Sequence, residues 1–140
     1  MTTESILLVD DNPTNLQMLF QLLEKSVGCK LLVAKNGEAA LNIARKTKPD
    51  LILLDIMMPG IDGFEVCRRL KVDPATSPIP VIFLSALDET ADKVKGLQLG
   101  AVDYVSKPFQ AEEVIARVNT HLTIHRLSRE VQEQRDQLEH

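Results

Sequence analysis

The chain has 140 residues, of which 44% are hydrophobic and 26% charged, enough for one domain with an ordinary core and an appendage. With a formal net charge of −4 and no cluster of Lys or Arg, a general nucleic-acid surface is excluded, and no direct nucleic-acid contact is expected. No run approaches the roughly 18 apolar residues of a membrane span, and Met1-Thr2-Thr3-Glu4-Ser5 lacks the basic and apolar regions of a leader. The expectation is a cytoplasmic protein without membrane insertion, in which Cys29 and Cys67, outside any CxxC or Cys/His spacing, are reduced core thiols.

Apolar runs rich in Val, Ile and Leu at 6–9, 31–34, 51–54, 81–84 and 101–105 predict strands, and the segments between them carry helical periodicity. In the first helix Asn12 caps, Pro13 takes the first helical position, Leu16, Leu19, Phe20, Leu23 and Val27 form the apolar face, and Gly28 ends it. The second starts near Asn36-Gly37 and buries Ala40, Ile43 and Ala44 before Pro49-Asp50 breaks it. The third opens on Asp62-Gly63-Phe64-Glu65, a capping-box pattern, and carries Phe64, Cys67 and Leu70 on one side, followed by a loop over 73–78. The fourth begins near Asp88 with Val94 and Leu97 as its main anchors, and should be the least firmly packed.

From Gln110 onward no Gly or Pro interrupts the chain, and Glu112 and Glu113 suit a helix start. A helix running to the end is about 45 Å long, roughly twice what covering the sheet requires. Val114, Val118 and Leu122 should face the sheet. Beyond them Ile124, Leu127, Val131, Gln134 and Leu138 recur at the spacing of a coiled-coil seam, the alternative being a solvated tail. His121 and His125 have a metal-compatible spacing, but without an evident carboxylate or thiol partner they read as solvated. Leu138-Glu139-His140 resembles the start of a vector-encoded histidine tag.

Strands this apolar, without in/out alternation, imply helices on both sheet faces, hence a parallel, doubly wound α/β fold with right-handed connections. Four of them end in polar residues: Asp10-Asp11, Asp55, Ser85, and Ser106-Lys107-Pro108. If the strand order is 2-1-3-4-5, those four strands are neighbours and their tips meet beyond the carboxyl ends, where ligands bind in such sheets. Taken alone, Asp10-Asp11 reads equally as a cap or solvated loop, Ser85 as a turn residue and Tyr104 as a half-buried strand aromatic.

With Asp10-Asp11, the run from Leu53 through Asp55-Ile56-Met57-Met58-Pro59-Gly60 to Asp62-Gly63, Ser85-Ala86 and Lys107-Pro108-Phe109 in order, the sequence resembles a bacterial two-component response-regulator receiver domain, of the chemotaxis-regulator-like kind. The resemblance covers about residues 4–124 and leaves 125–140 as a helical extension, a coiled-coil linker to an output domain. It implies a flavodoxin-like five-stranded sheet. It implies that Asp55 accepts a phosphoryl group from a sensor histidine kinase or phosphotransfer protein, and that Asp10, Asp11, Asp55 and the Met57 backbone carbonyl hold Mg²⁺, with Mn²⁺ as a substitute.

On the same resemblance Lys107 and Ser85 assist at the phosphoryl group, Ser85 and Tyr104 switch, and the Lys107-Pro108 bond is cis. The expected output is a changed surface on helix 4, strand 5 and helix 5 that controls homodimerisation through the last helix or an output domain. Apolar Met57 and Leu87 cannot position an attacking water, which points to a long-lived phosphoryl state. An aspartyl-phosphate phosphohydrolase or phosphotransferase would want an acid two residues after the nucleophile, where Met57 stands, so no substrate-turning enzyme is expected. A phosphate-independent interaction domain should have lost a site residue, and none is missing.

Overall fold

In the computed structural model, whose described residues are 4–26, 28–85 and 90–138, five strands pair in parallel: β1 (Ser5–Val9), β2 (Lys30–Ala34), β3 (Leu51–Asp55), β4 (Val81–Ser85) and β5 (Asp103–Ser106). Their order is β2-β1-β3-β4-β5, as the doubly wound reading requires. The helices are α1 (Pro13–Ser26), α2 (Gly37–Thr47), α3 (Gly63–Val72), α4 (Thr90–Gln98) and α5 (Ala111–Leu138).

Alternate residues of each central strand enter opposite cores. Leu7, Val9, Ile52, Leu54, Val81 and Phe83 pack with α2 and α3, whereas Ile6, Leu8, Leu51, Leu53, Ile82 and Leu84 pack with Leu16, Leu19 and Leu23 of α1 and Val114, Val118 and Leu122 of α5. Burial on both faces is why these strands show no alternation in sequence. The edge strand β2 leaves Val33 exposed. Among the described residues no helix is long and apolar enough to cross a membrane.

Local chemistry sets the helix starts. The Asn12 side chain accepts from the Thr14 N–H at 2.9 Å, Asn36 from Ala39 at 2.8 Å and Asp62 from Glu65 at 2.9 Å. Glu65 is drawn to Arg68 and Arg69 instead of completing a reciprocal box. In α2 the buried residues are Gly37, Ala40, Leu41 and Ala44, with Ile43 half-buried, and in α1 the expected contribution of Val27 lies outside the described residues.

Two expectations need correction. The fifth strand starts at Asp103, not 101, because Ala101 terminates α4: Gly100 adopts φ +107° and the Ala101 N–H reaches back to the Gly96 carbonyl at 3.1 Å. Val94 and Leu97 do not anchor α4 and are exposed. It comes close to Phe83 of the sheet through Gly96, where an added Cβ would lie 2.7 Å from the ring. A side chain there would lift the helix, and this close approach turns Val94 and Leu97 outward. The start expected near Asp88 lies outside the described residues.

Gly63 matters more for the site. Its N–H donates to the Ile56 carbonyl at 2.8 Å, and an added Cβ would come within 2.8 Å of Ile56 Cα and closer still to the Asp55 carbonyl oxygen. Those are backbone atoms with no rotamer to adjust. Gly63→Ala is therefore expected to lower the Tm by roughly 6 °C or more, despite alanine's better helix propensity, in a thermal melt followed by circular dichroism. An unchanged Tm would mean that the end of β3 shifts freely.

Candidate functional site

The register brings the strand ends to one level: Val9 pairs with Leu54, Asp55 with Leu84, and Ser85 with Ser106. Side chains that immediately follow β1 or end β3 and β4 therefore emerge together. Asp10 is fully buried, Asp55 and Ser85 nearly so, and Asp11 is exposed at the mouth. Carboxylate oxygens of Asp10, Asp11 and Asp55 lie within 4.8 Å of one another, the one such cluster among the described residues.

Lys107 is held over this cluster by its backbone, whose N–H donates to the Ser85 carbonyl at 2.7 Å, and its peptide bond to Pro108 is cis. The ammonium lies 3.1 Å from both Asp10 Oδ2 and Asp55 Oδ1. Asp10 Oδ1 accepts from the Asn12 N–H at 2.9 Å, which fixes its carboxylate, while Oδ2 is buried and accepts no well-aligned hydrogen bond despite the nearby ammonium. Burial, then the Asp10 charge, push the Asp55 carboxyl up to about 6, against the opposing pull of Lys107. Burial also works against the Lys107 ammonium, but Asp55 and Asp10 together raise its pKa above the ordinary lysine value.

Three crowded oxygen donors, one lacking a good hydrogen bond and one reluctant to ionise, match a small hard cation better than a neutral ligand. The residues fit Mg²⁺. Met57 follows two residues after Asp55 with its side chain exposed. Leu87 lies outside the described residues. On the side toward α4, Ser85 and Tyr104 share the lining of a cavity of about 10 Å³ with Ile56 and Phe83. The half-buried Tyr104 ring carries the Lys93 ammonium 4.4 Å from its centroid.

His121 and His125 are not solvated. His121 Nε2 lies 3.0 Å from Asp103 Oδ2, on a carboxylate that also takes Arg117 at 2.7 and 2.8 Å, and His125 Nε2 lies 3.7 Å from Asp50 Oδ1. Each faces a different carboxylate, and among the described residues neither joins a cluster that could hold a metal. The missed signal was an acid at the start of β3 and another at the start of β5. α5 runs back along the sheet toward the strand starts, so acids placed there meet its later turns.

The site sits on a sheet of the expected order, and residues 6–119 match the family model for the response regulator receiver domain. The chain belongs to that family. This receiver domain is 44% identical over 117 residues to protein PilH of Pseudomonas aeruginosa, covering 84% of this chain and 96% of PilH. It is 46% identical over 119 residues to the alkaline phosphatase synthesis transcriptional regulatory protein PhoP of Bacillus subtilis, covering 85% of this chain but 48% of that one. It superposes on the crystal structure of a putative response regulator from Chloroflexus aurantiacus with a TM-score of 0.83 at 35% identity, over 87% of this chain and 99% of the other. The chain thus spans nearly all of PilH but half or less of relatives such as PhoP and MtrA. As a receiver domain it is a regulatory phosphoacceptor of two-component signalling.

The carboxylate crowding has a measurable sign. Because the folded Asp55 carboxyl titrates near 6, above its ordinary 3.8, its contribution to stability is full below about pH 4 and lost as pH rises through 6. In metal-free buffer at pH 7.5, Asp55→Asn should melt about 3 °C above the parent, with the gap closing by pH 4, and Mg²⁺ should raise the parent's Tm more than the variant's. A variant no more stable than the parent at pH 7.5 would show that Lys107 already compensates the charge.

Proposed function

We propose that Asp55 is the phosphoryl acceptor, charged by a sensor histidine kinase or phosphotransfer protein in a reaction assisted by Mg²⁺. The observation that carries the reading is the buried Asp55 carboxylate bridged by Lys107 to Asp10, with Asp11 at the open side. Asp10, Asp11, Asp55 and the Met57 carbonyl would hold the ion, Mn²⁺ serving as a substitute, and when bound it supplies positive charge for the phosphoryl oxygens.

An Asp55 oxygen forms the bond to phosphorus as the donor's bond breaks, and no general base is needed because the attacking group is already anionic. Lys107, now paired with Asp55 Oδ1, is positioned to follow the charge onto a phosphoryl oxygen. The Ser85 hydroxyl then turns to the phosphoryl group, and Tyr104 turns toward the space beside Ser85, which alters the α4–β5–α5 face. With Met57 at the position where a hydrolase would want its acid, the domain assists only its own phosphorylation and dephosphorylation.

The receiver proper is read as residues 4–124 and the helical extension as 125–140. The extension leads toward homodimerisation and an output domain, without direct nucleic-acid contact from the receiver. Exposed Ile124, Leu127 and Val131 on a helix that outruns the sheet support that part of the reading.

Incubation with Mg²⁺ and acetyl phosphate followed by intact mass should show a single added phosphoryl group that requires the metal and is absent in Asp55→Asn. No adduct, together with no binding of beryllofluoride, would replace this reading with a phosphate-independent interaction domain. The lifetime offers a second check. The apolar Met57 and Leu87 side chains cannot orient water, so Met57→Asn combined with Leu87→Glu should shorten the phosphoryl half-life at least about ten-fold. An unchanged half-life would assign the lifetime to other groups.

A further inference from the structure

The receiver holds one side of the α5 extension and leaves the opposite side bare. Arg129 donates to the buried Asp50 carboxylate at 3.0 Å, His125 stands 3.7 Å from the same oxygen, and Arg126 pairs with Glu4 at 2.5 Å. Asp50 also accepts the Ser5 N–H at 2.9 Å, so this attachment reaches the first residue of β1. With Ile124 and Val131 at a, and Leu127 and Gln134 at d, the fastened residues fall at b, c and f of the heptad. These are the outer positions, which a coiled-coil partner does not touch. The clamp therefore fixes the rotation of α5 so that Leu127 and Val131 lie on the side opposite it, while Ile124 borders the cavity beside Asp50 and His125. Ile124, Leu127 and Val131 are each about half exposed.

The residues flanking the seam select the partner's direction. Glu130 occupies g and Arg135 the following e, the two positions that meet between parallel, in-register helices, and among the described residues neither forms a salt bridge within its own chain. An antiparallel pairing would set g against g and e against e, giving Glu130 no cation and Arg135 no acid. Ile and Val at a with Leu at d are also the choice that favours two strands in a parallel arrangement. Gln134 at d would meet its own copy only in register, where the two amides can pair. A shift of one heptad sets Gln134 of one helix against Leu127 of the other, an amide against an apolar side chain.

We infer that the occupant of this seam is a second copy of the same chain, parallel and in register, with Glu130 of each helix against the partner's Arg135 and the two receivers on the outer flanks. This rests on the homodimer reading above and adds its direction and register. An antiparallel copy would leave both charges unmatched.

The test uses the full chain charged with beryllofluoride and Mg²⁺, studied by sedimentation equilibrium. Glu130→Lys and Arg135→Glu should each weaken dimerisation at least about five-fold, and the double swap should restore it. In a Cys29→Ala background, Leu127→Cys should form a disulfide with its own copy under mild oxidation, whereas the background alone should not. A dimer whose single variants are neutral, or whose double swap fails to rescue, would overturn the direction and register while leaving homodimerisation intact. A chain monomeric at all concentrations would overturn both.

Discussion

Everything at the strand-tip pocket depends on one electrostatic imbalance: two buried carboxylates and a third at the mouth share a single fixed ammonium. The sheet makes this imbalance unavoidable. β1 and β3 are buried on both faces and locked in parallel register from Ile6 with Leu51 to Val9 with Leu54, so Asp10 and Asp55 cannot separate without breaking the core. Charge crowding that costs stability in the unliganded chain is the same feature that favours a cation among these carboxylates. A lysine alone leaves Asp55 with a pKa of about 6, which is the sense in which the pocket is incomplete.

The two ends of the sheet have separate duties. At the carboxyl ends, acids are packed with too little positive charge. At the amino ends, Asp103 and Asp50 are met by side chains from α5, the Arg117 cation and the His121 ring on the first and the Arg129 cation on the second. Burial would raise the Asp103 carboxyl, but hydrogen bonds from His121, the Tyr104 N–H and Arg117 hold it below the usual range, as expected of a settled structural contact. β5 joins the two ends within four residues. It begins at Asp103, carries Tyr104 beside the Ser85 cavity and ends next to Lys107. β5 thus links the Lys107 end of the sheet to the Asp103 contact with α5 over a short covalent distance.

α4 is the thinnest part of the shell. Its close contact on Phe83 is made through a glycine, and its two large aliphatic side chains, Val94 and Leu97, are exposed. A helix with so little buried apolar surface has low local stability, and the polar and cationic groups around Tyr104 hold its place instead. α1 and α3, by contrast, are seated on Leu19 and Leu23 or on Val66 and Leu70.

The period of the apolar residues and the chemistry of the strand tips were legible without coordinates. Uninterrupted Val, Ile and Leu runs separated by helical spacing admit only a sheet covered on both faces, and that placed Asp10, Asp11, Asp55, Ser85 and Lys107 at one end of it. Val114, Val118 and Leu122 read correctly as the covered face of α5 because burial follows the 3.6-residue repeat. What depends on distance along the chain was not legible. Gly96, not Val94 or Leu97, seats α4, because only the assembled core reveals how closely Phe83 approaches. His121 and His125 find carboxylates at strand starts 18 and 75 residues earlier in the chain. Local pattern determines which face of an element is apolar. Only the tertiary structure decides which charges that packing forces together, since ion pairing depends on a few ångströms that no sequence spacing specifies.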